Sequence, residues 1–583
     1  MLHRSRTFAP LLTLLAVVLP LLTAANATFE ADTARWGLKA LAVARAEQIP
    51  QIVIPGLLWH QDGTLFQPPL QAWLTCGLIS LSPPGGIGCL FAISVVSLML
   101  GVWCGAVWTR ESAGSPYGLM FAAIISTHPQ WLSLAASGGS DALTAWLLTA
   151  SGWAIWSHWR NAQSQVSLRL LAGGLAWGLA ILSGGILAVA FLAVVVAWGL
   201  LFQPAESLEA SEKAPSVRFR RRRTLAIAFA TGMALGGWWI ALMLEEYGLE
   251  FLRVWTTHSA GLDEGVSRVQ RVQWRHDLIV WLERSAFLSG FLLLGIGTGL
   301  RSLLSRNPSP PQQFAGFMMC WLGLGVVMRL LPGLALDVWG LQSSRAWESF
   351  CIVPAAYLAA HGVVEMTQRR ISTRWMLTCL TITVGCVAGA LTQRWQAGLI
   401  IGGTVGAVLA ASAPLAMGLR RTSLAWSESE VRRWIQGFGV IALLGHSAMG
   451  ALIWRATPTG RKVYEASRTK LSRIASPDHV SLVTSDKHDS DAQLEYLLRS
   501  VFPDARLSHA VGWDSELTNI IVTEAEAPRS RMLIVEWSRK ELKVGGDVGT
   551  GWRVSPVLDP VPYRGRRFAA IMIEPERPRT FLP

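Results

Sequence analysis

Charge is scarce in this chain, and so is cysteine chemistry. Only 15% of the 583 residues are charged, where a soluble globule carries about 25%. No two of the seven cysteines (76, 89, 104, 320, 351, 379 and 386) form a CxxC pair, and none follows Cys386. All seven sit in apolar stretches, which argues against a disulfide framework or a zinc site and for buried packing thiols. There is no phosphate-binding glycine loop, no nucleotide fingerprint, no triad spacing and no internal repeat. What remains is apolar: 51% of residues are hydrophobic and 28 are tryptophan. That composition describes a polytopic helical membrane protein followed by a soluble segment, with tryptophans suited to membrane interfaces.

The formal net charge of +13 lies largely in short loops between apolar runs. It therefore points to cytoplasmic topology signals and anionic lipid headgroups, and nucleic acid is not expected as a partner. The basic segments Lys213 to Arg223, Arg301 to Arg306, Arg369 to Arg374 and Arg420 to Arg433 are assigned to cytoplasmic loops. The segments 246–278, 333–349 and 393–395 then face outward. At the N-terminus, Arg4 and Arg6 precede an apolar run from Ala9 to Ala25, and Ala25-Asn26-Ala27 has the form of a cleavage site. A cleaved leader is one reading; a retained helix is favoured by the length of the run and by the spans that follow. Both readings put Phe29 to Pro68 outside the cytoplasm.

Between that first outer loop and the basic segment at 213–223 lie six apolar candidates, near 69–83, 86–108, 117–135, 142–157, 169–183 and 186–203. Parity requires an odd number of crossings. The break Ser82-Pro83-Pro84-Gly85-Gly86 makes 69–108 one span plus a shallow or re-entrant piece, since lipid demands an unbroken backbone ladder. Seven further candidates, near 224–245, 279–300, 314–332, 350–364, 375–392, 396–417 and 435–454, bring the expectation to about 13 spans. The expected organisation is a membrane domain over 1–454, with its first outer loop at 28–68, and a small α/β domain over 455–583 on the outer face. In the latter, 479–485, 519–523, 532–536 and 568–573 have the pattern of short buried strands, and Asp491 to Phe502 that of an amphipathic helix.

The first outer loop carries carboxylates close to lipid: Glu30, Asp32 and Asp62. Acids persist there when they face a cavity or water. Asp32-Thr-Ala-Arg-Trp-Gly-Leu-Lys-Ala-Leu41, then Asp62-Gly63 and Phe66-Gln-Pro-Pro-Leu-Gln-Ala-Trp-Leu74 resemble the first-loop pattern of the protein mannosyltransferase and aminoarabinose transferase superfamily. Pro129 to Asp141, ending Ser-Gly-Gly-Ser-Asp, is similar to that family's second acidic motif. Gly178-Leu-Ala-Ile-Leu-Ser-Gly-Gly185 resembles its helix motif, and Ser343 to Pro354 is a vaguer echo. The resemblance covers roughly the first 200 residues. It implies a type C glycosyltransferase fold, a polyprenyl-phosphate-linked sugar as donor, a lipid, glycan or protein hydroxyl as acceptor, and inversion at the anomeric carbon. The departures are Thr33 for an acid, Phe66-Gln67 for Glu-Lys, and Gly184 for a lysine.

Chemistry independent of the family asks for the same parts. Moving a sugar from a lipid phosphate to a hydroxyl needs a base for the acceptor proton and cations for the departing phosphate. Asp32 is the candidate base, Asp141 the residue that orients the acceptor, and Glu30 an auxiliary acid. The competing roles are helix caps for Asp32 and Asp141 and a solvated loop position for Glu30. Candidate phosphate ligands are Arg253, His258, Arg271 and Arg275 in an outer loop, because arginine pairs bidentately with phosphate, and Arg345 by similarity to the family. The alternative for the 253–276 segment is an amphipathic helix on the membrane surface. His60 and His258 lack metal-ligand spacing, so no metal or other cofactor is expected. Two other classes stay open: a lipid-sugar transporter, which needs ionisable groups within its spans, and a non-catalytic scaffold, which tolerates the missing lysines.

Overall fold

The computed structural model describes residues 16–24, 31–46, 68–81, 87–160, 168–201, 214–258, 285–305, 308–334, 344–367, 373–392, 445–446, 468–469, 471–473, 479–484, 490–502, 506–511, 531–537, 552–563 and 566–575. The helices, in chain order, are α1 (Ala31–Ala44), α2 (Leu70–Leu81), α3 (Ile87–Ala113), α4 (Ser115–Thr127), α5 (Pro129–Ser137), α6 (Asp141–Arg160), α7 (Leu168–Gly184), α8 (Ile186–Leu201), α9 (Ala214–His258), α10 (Ser289–Leu304), α11 (Pro310–Leu334), α12 (Ser344–Thr367) and α13 (Thr373–Thr392). Beyond them lie β1 (His479–Thr484), α14 (Ser490–Val501), β2 (Arg506–Val511), β3 (Arg531–Trp537), β4 (Trp552–Tyr563) and β5 (Arg566–Pro575). The chain divides into two compact units. One comprises Met1–Ala25, Val53–Gln71 and Phe91–Ala456; the other comprises Asn26–Ile52, Ala72–Leu90 and Thr457–Pro583.

The first unit is a helical bundle. Gly88–Ala113, Leu225–Leu249, Ala286–Leu304 and Ser349–Met366 are long and apolar enough to cross a membrane, and the protein is an integral membrane protein. By contrast the 12 residues of α2 rise only about 18 Å, short of the roughly 30 Å hydrocarbon core. Two segments expected between the spans are helical, the second in keeping with the helix weighed above for 253–276. Arg218 to Arg223 belong to α9, and so do residues 246–258, which continue past a kink at Gly248 (φ 57°). Arginine and leucine are strong helix formers, and neither stretch contains proline. The expected strand at 519–523, the spans near 396–417 and most of 435–454 lie outside the described residues.

Two packing devices hold this unit. Gly174 and Gly178 on α7 face Gly232 and Gly236 on α9, so that a Cβ on Gly178 would lie 2.5 Å from the Gly232 carbonyl oxygen. Paired small residues four apart let helix backbones approach where lipid supplies no hydrophobic drive. The second device is aromatic. Trp108 (α3), Trp156 (α6), Phe191 (α8), Phe314, Phe317 and Trp321 (α11) and Tyr357 (α12) interlock at centroid distances of 4.5–6.3 Å. Trp108, Trp131, Trp177, Trp239 and Trp321 are almost wholly buried, so these tryptophans pack the interior instead of anchoring an interface. Their rings meet edge-on or tilted, the arrangement the ring quadrupole favours.

The path from α4 to α5 is bent by Pro129, which lacks an N–H. The His128 N–H turns to the Ile125 carbonyl (3.2 Å). The Ile124 carbonyl is met by His446 Nε2 (3.4 Å), and His128 Nδ1 accepts from the Gln130 N–H (3.2 Å). The bend thus leaves no buried carbonyl at Ile124 unpartnered, and it aims α5 at the turn described below.

In the second unit, five strands form one sheet in the order β2-β1-β3-β5-β4. β1 runs parallel to β2 and β3, with α14 as the β1–β2 crossover, and β5 is antiparallel to β3 and β4. Pro556 and Pro562 fall on β4, an edge strand with two register shifts, where a missing N–H costs no ladder bond.

Gly178→Val should therefore be far more damaging than an ordinary surface change. Its side chain meets backbone that cannot rotate away, and overpacking costs about 1–3 kcal/mol or more. Thermal unfolding in detergent should show a marked fall in Tm for Gly178→Val, with no comparable fall for Gly297→Val, where a Cβ meets nothing within 4 Å.

Candidate functional site

Three of the sequence segments singled out above meet at one turn in the first unit. α5 ends at Gly138, whose left-handed conformation (φ 60°, ψ 9°) is one that glycine adopts without strain. Gly139 and Ser140 follow, and Asp141 opens α6. Each of the three turn carbonyls is capped by a side chain from a different helix. Gln71 Nε2 on α2 donates to the Gly138 carbonyl (3.3 Å), and Ser94 Oγ on α3 donates to the Gly139 carbonyl (3.1 Å). Ser183 Oγ on α7 donates to the Ser140 carbonyl (3.2 Å). Thr144 Oγ1 lies 3.0 Å from both the Ser140 carbonyl and Ser183 Oγ. Gln71, Ser94, Thr144 and Ser183 are all buried.

This collar fixes what Asp141 is. The Thr144 N–H makes its helical bond to the Ser140 carbonyl (2.9 Å), so Ser140 is the cap and Asp141 the first helical residue. The capping role weighed for Asp141 thus belongs to Ser140. Asp141 is half-buried, and a carboxylate at a helix N-terminus is stabilised by the macrodipole. With the turn carbonyls consumed, the buried Gln71 Oε1 beside them has no hydrogen-bond partner among the described residues.

The same collar explains Gly184. A Cβ at that position would press into the Thr144 side chain, and Gly185 at φ 55° turns the chain from α7 into α8. The position where the resembling motif carries a lysine is closed here by the Thr144–Ser183 pair.

The second unit holds the first-loop helix. α1 begins at Ala31, so Asp32 is its second residue and does not precede the helix as its cap. α1 is buried over most of its surface, at Thr33, Ala34, Trp36, Leu38, Lys39, Ala40 and Leu41. α14 packs against it: the Tyr496 ring fills the space where Gly37 has no side chain, and the Arg45 guanidinium donates to the Arg499 carbonyl (2.9 Å). Arg499 is itself paired with Glu495 at 2.9 Å. Lys39 is the one lysine or arginine buried among the described residues. Its ammonium lies 4.8 Å over the Trp36 ring. Burial, and secondarily the Arg35 guanidinium, push its pKa down to about 7. Lys39 was absent from the sequence-based candidates, although its place two turns after Asp32 was a usable signal.

Of the remaining candidates, Arg253 and His258 fall near the end of α9 and Arg345 in the first turn of α12. Glu30, Arg271 and Arg275 lie outside the described residues. No three His, Cys, Asp or Glu side chains gather as a metal site among the described residues.

No protein-family model matches this chain, and no curated protein sequence does. Solved structures do. ArnT from Cupriavidus metallidurans bound to undecaprenyl phosphate aligns over 97% of this chain and 98% of its own, with a TM-score of 0.58 at 14% identity. This chain has the ArnT fold. ArnT in the apo state aligns over 98% of both chains with a TM-score of 0.55, again at 14% identity. The ArnT fold is the one that the first-loop, Gly-Gly-Ser-Asp and Gly178–Gly185 motifs imply.

Two predictions follow from this geometry. Ser94→Ala leaves the buried Gly139 carbonyl without its side-chain donor, which costs about 1–3 kcal/mol, whereas Ser183→Ala should cost less because the Ser140 carbonyl keeps its bonds from the Thr144 N–H and Oγ1. Gly184→Lys, although it restores the residue of the resembling motif, should lower Tm at least as much as Ser94→Ala because Thr144 stands in its way; circular dichroism melts in detergent compare the three. The second concerns Lys39. Its folded pKa near 7 lies below the unfolded value of about 10.4, so between those values the unfolded chain binds more protons and stability rises with pH. Unfolding followed from pH 7 to 10 should show that rise in the wild type, and Lys39→Met should flatten it.

Proposed function

We propose that this chain is an integral membrane glycosyltransferase that moves a sugar from a polyprenyl-phosphate donor to a hydroxyl of a lipid, glycan or protein acceptor at the outer face of a bacterial inner membrane. The observation that carries the reading is the collar around Gly138–Asp141, in which residues of three separate motifs, Gln71, Asp141 and Ser183, converge within a chain that has the ArnT fold. The solved ArnT structure contains undecaprenyl phosphate, which makes a polyprenyl phosphate the first donor class to test.

In the proposed reaction Asp32 takes the proton from the acceptor hydroxyl as its oxygen attacks the anomeric carbon from the face opposite the phosphate. The bond from that carbon to the phosphate oxygen breaks, its electron pair leaves with the polyprenyl phosphate, and the configuration inverts. Asp141 and Gln71 hold the acceptor hydroxyl. Cations among Arg253, His258, Arg271, Arg275 and Arg345 receive the phosphate, since stabilising charge that grows in the transition state is the largest lever such an enzyme has. No cofactor takes part. The topology that goes with this reading has about 13 spans, Asp141 outside, and residues 455–583 as an extracytoplasmic domain.

Purified protein in nanodiscs, given radiolabelled sugar on a panel of polyprenyl-phosphate carriers, should transfer or release the sugar. Asp32→Asn should lower the rate by about 10²–10⁴-fold, the usual contribution of a general base. Turnover that survives in Asp32→Asn would remove Asp32 from the mechanism. An unchanged rate of zero in both proteins across the panel would favour the scaffold or transporter readings. Independently, a cysteine at position 141 in an otherwise cysteine-free chain should react with a membrane-impermeant maleimide from outside; reaction only from the cytoplasmic side contradicts the topology.

A further inference from the structure

The first-loop helix and the C-terminal sheet fall in one compact unit, since Asn26–Ile52 groups with Thr457–Pro583. We propose that the C-terminal α/β domain is a working part of the transferase: its helix α14 sets the position of α1, with Tyr496 and Arg45 as the positioning residues. This inference deepens the glycosyltransferase reading and rests on it, because α1 is the element that carries Asp32. Two attachments define the placement. At the middle of α1, a Cβ on Gly37 would stand 2.8 Å from Tyr496 Cδ2 and 3.1 Å from Leu90 Cδ2, where ordinary contact begins at 3.4 Å. The absent side chain is therefore a notch, and the fully buried Tyr496 ring sits in it. The second attachment lies about 12 Å further along the helix direction. Arg45 follows the last residue of α1, and its guanidinium donates to the Arg499 carbonyl (2.9 Å). That carbonyl is in the last turn of α14, where the helix supplies no partner and its dipole favours a cation. Arg45 thus caps α14, and α14 in turn holds the end of α1.

Those contacts reach the reaction through the backbone of α1. A helix held at one point can slide or turn about it, whereas a helix held at two points cannot. α1 is a single helix of 14 residues, so a shift imposed at Gly37 is passed to the backbone at Asp32, about 7.5 Å away along the axis. Misplacing a reacting group by about 1 Å from a distant change can cost about 10²-fold in rate. The support behind α14 is itself firm. Glu495 and Arg499 pair at 2.9 Å on the helix, and α14 is the crossover between the paired strands β1 and β2. The residue at the notch also argues for placement. Glycine inside a helix is about 1 kcal/mol less favourable than alanine, a cost explained here by the close approach of an aromatic ring. A contact serving cohesion alone would change Tm and leave turnover per folded molecule as it was. A contact that places α1 changes kcat while donor binding is kept.

The test measures initial rates of the full chain in nanodiscs against the concentration of the polyprenyl-phosphate-linked sugar that the wild type turns over, with the folded fraction fixed by circular dichroism. Gly37→Ala drives a methyl group into the Tyr496 ring and should lower kcat by about 10–100-fold, with the donor KM within a few-fold of wild type. Adding Tyr496→Leu to Gly37→Ala makes room for the methyl group and should recover most of the lost kcat. Arg45→Met removes an exposed bond and should lower kcat several-fold, again with KM kept; it carries the test should Gly37→Ala fail to fold. Unaltered kcat per folded molecule in Gly37→Ala and Arg45→Met would overturn the assignment while leaving the glycosyltransferase reading intact. A raised donor KM with kcat unchanged would likewise overturn it, because α14 would then contribute to binding and not to placement. Lower Tm in both single variants, with no recovery of kcat in the double variant, would reduce the contact to a structural one and contradict the proposal. A wild type that turns over no polyprenyl-phosphate-linked sugar would defeat the functional reading, and this inference with it.

Discussion

Three backbone carbonyls in a row, at Gly138, Gly139 and Ser140, would be an expensive feature inside a membrane bundle if they met only apolar neighbours. In this chain each is matched by one side chain from a different helix: Gln71, Ser94 and Ser183. That satisfaction is what permits a buried irregular turn, and it ties Gln71, Ser94 and Ser183 to the start of α6. Much else is arranged in support. The Pro129 bend directs α5 toward the turn, with His128 and His446 occupied in closing the gap it opens. The glycine faces of α7 and α9 bring Ser183 into place, and the missing side chain at Gly184 makes room for Thr144. Asp141 stands at the end of this arrangement, one residue beyond the cap, with its backbone fixed by contacts it does not itself make.

How far the sequence disclosed this depends on which kind of interaction was involved. Motif order disclosed the segments: the Pro-Pro-Leu-Gln stretch, the Gly-Gly-Ser-Asp turn and the Ser-Gly-Gly helix end are recognisable locally, and the fold they imply is the one observed. Strand segments at 479, 532 and 568 were legible because buried β-branched runs between turn residues have few other structures open to them. Helix ends were less legible. The arginine-rich stretch Arg218 to Arg223 was assigned to a loop, yet it continues α9, since charge does not decide where a helix ends. Tryptophans were misleading in the same way: composition suggests interfaces, and only tertiary packing reveals that Trp108, Trp156 and Trp321 interlock in the interior. Pairings such as Gln71 with Gly138, 67 residues apart, leave no local trace at all.

The first-loop helix shows how a departure from a motif can be informative. Lys39 lies in the very stretch that carries the resemblance, but a lysine in a short amphipathic segment is ordinarily a solvated residue. Burial against Trp36 distinguishes it, and burial is a property of the folded chain. Gly184 makes the converse point. Taken alone, it is a missing cation; within the fold it is the position where a Cβ would press into the Thr144 side chain.

The central claim is that this molecule transfers a sugar from a polyprenyl phosphate. The most direct measurement is stoichiometric: wild-type protein in nanodiscs, a lipid-linked sugar and an acceptor-rich membrane extract, with transferred sugar and free polyprenyl phosphate quantified together by mass spectrometry. One carrier phosphate freed for each sugar moved is the result expected of such a transferase. Sugar that stays on its carrier, or crosses the bilayer still attached to it, would contradict the account and make the chain a carrier or an assembly factor built on a transferase fold.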